Sequence, residues 1–371
     1  MINKGDAFHL PKNGTYLLSH SVGRPLKSLQ AHIRAHYFEP WEQGLVEPWG
    51  HWLQGIEQFT AALGRLFNAP ATQFCPQTNV SSGLTKLLQS LPSSTTPIRL
   101  LMSENDFPSM GFVAQCARND IELHFIGADA DMSDPDVWQM HLTPDIDFVF
   151  VSHVYSNTGQ QAPISFIASK AKERGIKVIL DVAQSAGILP VDLNALQIDV
   201  MLGSSVKWLC GGPGAAYLWV SEALLSELKP KDVGWFSHAN PFEFDIHHFE
   251  FHQTALRFWG GTPSVESFIG AAHSIHYFTE LGIAQVREHN WALLSQLHTA
   301  LEGYMVSECK IERASGTAIV SFGAHNERIL AALKEQQIAV DCRLHGLRIS
   351  PHLYNTQDDL NRFVEVVQAH L

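Results

Sequence analysis

Between residues 98 and 220 short apolar runs alternate with amphipathic stretches, and this alternation restricts the fold more than any other feature. The runs are IRLLM (98–102), ELHFIG (122–127), DFVFVSH (147–153), KVILD (177–181), DVMLGSS (199–205) and AAYLWV (215–220). Between two of them lies ISFIASKAKERG (164–175), which has helical spacing and a C-terminal glycine, Gly175. Strands that alternate with helices imply a mostly parallel sheet covered on both faces. Residues 26–68 read as helices with Trp and Phe on apolar faces. The pattern changes near Thr262-Pro263. Two long helical stretches (264–281 and 284–303) are followed by a strand (317–322), a helix (325–335), a hairpin-like pair (338–350) and a last helix (357–370). At 371 residues the chain is long for a single core. The expected division is an N-terminal segment (1–45) packing on the small domain, a large α/β domain (46–262) and a smaller C-terminal α+β domain (263–371).

Charge narrows the partners. Lys+Arg number 25 against 37 Asp+Glu, a formal net charge of −12, which argues against general affinity for nucleic acid or anionic membrane. No apolar run approaches the roughly 18 residues of a membrane span, and MINKGDAFHLPKNG lacks the apolar stretch of a secretory signal. Five scattered cysteines without a C-x-x-C point to a reduced, cytoplasmic protein.

Ligands of open α/β sheets sit at the carboxyl ends of the strands. Run 147–152 ends in Ser152-His153, run 177–180 in Asp181 with Gln184 one turn later, and run 199–203 leads through Ser204-Ser205-Val206 to Lys207. Lys207 precedes WLCGGPGAA, whose glycines allow close backbone approach. A desolvated lysine there has a lowered pKa and can form a Schiff base with a carbonyl; the plain alternative is a lysine snorkelling from a strand end. Asp181 suits a partner for a protonated pyridine nitrogen, although an aspartate capping the next turn fits DVAQSAG too. Thr78-Asn79-Val80-Ser81-Ser82-Gly83 precedes the helical LTKLLQSL and reads either as an anion-binding helix N-terminus or as an ordinary N-cap.

DVAQSAG…DVMLGSSVKWLCGGPGAAYLWV resembles the lysine block of the class V aminotransferase family, and GLRISPHLYNTQDDLNRF resembles that family's C-terminal carboxylate-binding segment. YLLSHSVGRPLKSL, END-FPSMG (104–111), SNTGQ (156–160) and VGWFSH (233–238) are similar to its kynureninase branch. The resemblance implies the pyridoxal phosphate (PLP) fold type I, with a mostly parallel seven-stranded sheet between helices in the large domain. It implies Lys207 as the Schiff-base lysine, Asp181 as the pyridinium partner, Gln184 near the cofactor's phenolic oxygen and Phe107 stacked on the ring. Val80, Ser81, Ser109 and Ser152 fall where the family holds phosphate or ring. Trp235 and Thr262 match positions that reach the neighbouring subunit's cofactor phosphate, which implies a homodimer with shared sites. Arg348 matches the arginine that grips the substrate α-carboxylate, and His238 a substrate-pocket histidine. Four positions depart from kynureninases: Val206 replaces a tyrosine, Met110 an aspartate, Gln184 a histidine and Thr262 an asparagine. A second pocket histidine falls at Glu42, or at Trp41 with a one-residue gap.

Three signals are set aside. His248 and His252 in HHFEFH lack a third ligand with metal-like spacing, so no metal is expected. Gly212-Pro213-Gly214 lacks the spacing of a dinucleotide loop. Cys342, a conceivable desulfurase nucleophile, stands on a predicted strand six residues before Arg348, without a mobile loop. The expected activity is hydrolytic Cβ–Cγ cleavage of a kynurenine-type amino acid. The alternatives are another class V reaction (transamination, epimerisation, desulfuration or lysis) and a catalytically silent PLP-fold binding protein.

Overall fold

The computed structural model describes residues 4–93 and 95–371. Twelve strands are numbered in chain order. β1 (Thr15–Tyr16), β2 (Phe74–Gln77), β3 (Ile98–Ser103), β4 (Ile121–Ile126), β5 (Phe148–Ser152), β6 (Lys177–Asp181), β7 (Val200–Ser204) and β8 (Ala216–Val220) precede β9 (Ala318–Val320), β10 (Ile338–Ala339), β11 (Asp341–Arg343) and β12 (Gly346–Ile349). Seven of them form one sheet in the order β2-β8-β7-β6-β5-β3-β4. β7, β6, β5, β3 and β4 are parallel, and β8 runs antiparallel to both β7 and β2. The strands read from the apolar runs are all present within one residue of their expected bounds. Their continuous apolar character follows from burial on both faces: every residue of β8 is buried, as are four of five in β6 and in β7.

β2 was not anticipated. Its sequence FCPQ contains Pro76, which donates no ladder hydrogen bond, and β2 lies at the sheet edge where proline is tolerated. The expected helical region 26–68 is also broken. A short helix (Leu29–Ile33) passes through a π turn (Arg34–Phe38) into Glu39–Gln43, and the long helix begins only at Trp49 and ends at Phe67.

That long helix packs its buried face, including Ile56, Phe59 and Leu63, against helix Val265–Leu281. Both belong to the larger of two apolar cores. The second core gathers Leu293, Leu294 and Leu297 from helix Ile283–Ala300, Val320 and Ile349 from the three-stranded sheet β11-β12-β9, and Phe363 from helix Gln357–Gln368. The N-terminal segment touches both: Phe8 and Leu26 enter the larger core, while Leu17 enters the second and β1 pairs in parallel with β10. No helix among the described residues is long and apolar enough to cross a membrane.

Candidate active site

All sheet strands except β8 run in one direction, so their carboxyl ends open at one edge. The connection β4 to β5 returns across β3, and the crevice between β3 and β5 is where strand order reverses. A cavity of about 310 Å³ lies at this edge, large enough for a small cofactor. Its lining brings together Val80, Ser81, Phe107, Ser109, Ser152, Asp181, Gln184 and Lys207 from five separate stretches of chain. Val206, Met110, Val154 and Pro213 supply apolar wall.

Asp181 closes β6 and is buried. One of its oxygens accepts the Ala183 N–H at 2.7 Å, and the other receives no hydrogen bond from the described residues. Burial raises its pKa, held back by that N–H and by Lys207. Lys207 follows β7 through a short turn. Burial lowers its pKa to about 8 against the pull of Asp181, with Arg348 and Arg343 pushing the same way as burial. Among the described residues no hydrogen bond or ion pair holds its ammonium group. An amine whose pKa is lowered toward the neutral range beside a carboxylate is the arrangement a carbonyl-trapping lysine needs.

The helix Val80–Ser90 points its N-terminus at the cavity. Asn79 is the N-cap: its Oδ1 accepts the Ser82 N–H at 2.8 Å. The Val80 and Ser81 N–H groups have no partner among the described residues, which leaves two donors and the positive helix end for an anion. Phe107, the N-cap of helix Pro108–Cys116, is 44% exposed over the opening.

Beneath Ser152 lies a carboxylate that sequence reasoning passed over. Asp106 accepts the Ser152 hydroxyl at 2.7 Å and the Ser103 N–H at 2.8 Å. Burial raises its pKa to about 7 in spite of these bonds, and the Asp181 charge adds to the rise. Its position three residues past the β3 terminus, directly before Phe107, was the available signal.

Arg348 is buried on β12 behind the cavity wall, where Nη1 donates to the carbonyl of Ser156, a lining residue. Two further residues missed in the sequence accompany it, Asp341 and His20. Trp235, His238 and Thr262 do not reach this cavity within one chain. Trp235 packs against Trp49 and Phe236. Thr262 is exposed. His238 hydrogen-bonds Glu243, which also holds His248, so the histidine cluster forms around Glu243 and not from His248 with His252. Glu42 lies on the surface in a two-pronged pair with Arg34, away from the cavity. Cys342 alternates with Asp341 on β11 and packs against the second core on the other face, its thiol pKa raised by burial.

The profile of the family described as Aminotransferase class-V matches residues 53–363. The chain belongs to the class V aminotransferase family. It is a PLP-dependent enzyme of fold type I. The buried Asp181 carboxylate with a free oxygen, the poised Lys207 and the open N-terminus of helix Val80–Ser90 fit that cofactor's ring nitrogen, aldehyde and phosphate. A kynureninase from Deinococcus radiodurans is 27% identical over 392 aligned positions covering 100% of this chain and 93% of the relative. The uncharacterized aminotransferase YcbU of Bacillus subtilis is 25% identical, covering 86% of this chain and 85% of YcbU. The structure of a cysteine desulfurase from Thermococcus onnurineus superposes with a TM-score of 0.89 at 18% identity, covering 100% of this chain and 98% of the other. At that identity the likeness speaks for the fold.

Proposed function

We propose that this class V enzyme is a kynureninase-like hydrolase, cleaving the Cβ–Cγ bond of an amino acid with an aryl-ketone side chain. The observation that carries the reading is the wall around Lys207. Beside Asp181, Gln184 and the serines of the same lining, Phe107, Met110, Val154, Val206 and Pro213 present apolar surface; among the described residues Lys207 is the cationic lining group and no cysteine lines the cavity. Such a wall suits a neutral, flat side chain. The full-length similarity to a kynureninase supports the same reading. Desulfuration through Cys75, Cys210 or Cys342 is disfavoured: Cys75 and Cys210 are buried, and Cys342 is held on β11, alternating with Asp341.

Bound PLP supplies an electron sink for charge developing at the substrate Cα. In this proposal Lys207 Nζ holds the cofactor covalently and then moves the proton at Cα. Asp181 keeps the proton on the ring nitrogen. Val80 and Ser81 N–H groups, with Ser109, bind the phosphate; Phe107 and Ser152 position the ring, and Gln184 approaches its phenolic oxygen. Arg348 takes the substrate carboxylate by its fork. Trp235 and Thr262 serve the partner's cofactor phosphate and His238 its substrate, in a homodimer. Their distance from the cavity of their own chain supports that assignment. The five unpaired cysteines favour the cytoplasm as its compartment.

The test is a substrate panel on the holoenzyme. Release of anthranilate-type product and alanine from kynurenine or 3-hydroxykynurenine, with kcat/KM above ~10⁴ M⁻¹s⁻¹ for one of them, is the expected result. Keto-acid formation from another amino acid, with neither cleavage, would overturn the hydrolase in favour of a transaminase.

A further inference from the structure

The guanidinium of Arg348 already holds a carboxylate from its own chain. β11 and β12 form a hairpin in which Asp341 and Arg348 are cross-strand partners. Arg348 Nε donates to Asp341 Oδ1 at 2.8 Å, and Nη2 donates to Oδ2. Nη1 donates to the Ser156 carbonyl at 3.2 Å. A guanidinium has five N–H donors. Three are engaged, and those left are one on Nη1 and one on Nη2, the pair that grips a carboxylate end-on.

Asp341 is itself fixed from behind. His20 Nε2 lies 3.0 Å from Asp341 Oδ1, and His20 Nδ1 lies 2.6 Å from Ser350 Oγ, which is 2.7 Å from Thr317 Oγ1. Burial lowers the His20 pKa, so the ring is neutral near pH 7 and one tautomer satisfies the chain: Nε2–H donates to Asp341 while Nδ1 accepts from Ser350. Burial pushes the Asp341 carboxyl up, but the bonds from His20 and Arg348 outweigh it and hold the group well below the usual carboxylate range.

We propose that Asp341, held by His20, is a positioning residue for carboxylate recognition: it locks Arg348 side-on so that its end-on pair of donors is presented at the cavity wall. The idea rests on the reading of Arg348 as the carboxylate grip. A long side chain with several rotatable bonds would otherwise lose rotamer freedom on each binding event; the hairpin removes that freedom in advance. The consequence is selectivity for the carboxylate itself, separate from affinity for the rest of the substrate.

The experiment compares L-alanine with L-alaninamide as probes of the holoenzyme, by calorimetry and by the change in cofactor absorbance. The ratio of their affinities isolates the carboxylate. The wild type should favour the acid. Asp341→Asn, which keeps the shape and loses the second acceptor and the charge, should reduce the acid-to-amide ratio about tenfold, with alaninamide affinity little changed when both are measured well below the variant's melting temperature. Asp341→Glu should recover part of the ratio. Arg348→Lys separates the two ideas. If it abolishes discrimination while Asp341→Asn leaves it intact, the positioning role is wrong and the grip stands. A ratio that rises in Asp341→Asn makes Asp341 a competitor for the fork and overturns the proposal. Equal affinity of the wild type for acid and amide, or binding of neither, overturns the grip and the proposal together.

Discussion

At the residue scale the chemistry of the site follows from two buried groups whose protonation the fold has moved. Only the neutral amine of Lys207 attacks a carbonyl, and its pKa is lowered to about 8 by burial. Capture of PLP by the apoenzyme should therefore accelerate as pH rises toward 8 and level off above it. Stopped-flow absorbance between pH 6.5 and 9.5 measures this, and a flat profile would contradict the lowered pKa. Lys207→Ala should bind the cofactor without a borohydride-reducible bond; a reducible bond at another lysine would displace the assignment. Asp106 works in the opposite sense. Its pKa is raised by burial from 3.8 to about 7, so the folded state keeps a proton that the unfolded chain releases. The stability it contributes is complete below about pH 4 and is lost as pH climbs through 7, on the order of 4 kcal/mol at 1.36 kcal/mol per pKa unit. Melting curves of apoenzyme between pH 4 and 8 should show that decline, and Asp106→Asn should flatten it. Parallel curves for the two proteins would mean that Asp106 ionises normally.

At the element scale, what could be read from the sequence was what periodicity and strand ends carry. The buried strands announced themselves because a parallel sheet covered on both faces needs unbroken apolar runs. Since strand ends converge on one edge in such a sheet, Ser152, Asp181 and Lys207 could be placed together from the sequence. Roles for Phe107, Gln184, Trp235 and Arg348 came from family resemblance and not from spacing. What stayed hidden depended on pairing between distant segments. Asp341 faces Arg348 because a two-residue turn at Leu344-His345 sets the hairpin register, and nothing in AVDCRLHGLRIS marks that turn strongly. His20 joins them from more than 300 residues away. The N-terminal strap that carries His20 is itself tied to the lysine turn: Gly23 N–H donates to the Val206 carbonyl at 2.9 Å. A Cβ at Gly23 would lie 2.1 Å from the Lys207 carbonyl oxygen and 2.6 Å from Cys210 Sγ. Gly23→Ala should thus push the strap off the turn. The expected cost is about 1–3 kcal/mol of stability, with faster loss of cofactor on dilution, read by denaturant melts and by absorbance. An alanine variant with unchanged stability and retention would show that the strap yields freely.

For the whole molecule, one face of the chain is out of balance with water. Ring contacts run without a break from Trp41 through Trp52 and Trp49 to Trp235 and Phe244. Around this chain of rings Trp41 is 57% exposed, Phe244 79% and Ile246 94%. A contiguous apolar surface of this kind marks an interaction site. Trp235 sits at its centre, the residue proposed to serve the cofactor of a second copy, and an isologous dimer would bury the face from both sides. Sedimentation velocity at low micromolar concentration should show a dimer, and Phe244→Glu combined with Ile246→Glu should shift it toward monomer with loss of activity. Shared sites make a stricter demand. Lys207→Ala and Trp235→Ala should each be inactive alone. Mixed and allowed to exchange, they should recover roughly a quarter of wild-type activity, because random pairing gives heterodimers half the time and each carries one intact site. Heterodimers that form, as shown by differential tags, yet remain inactive would confine each active site to its own chain.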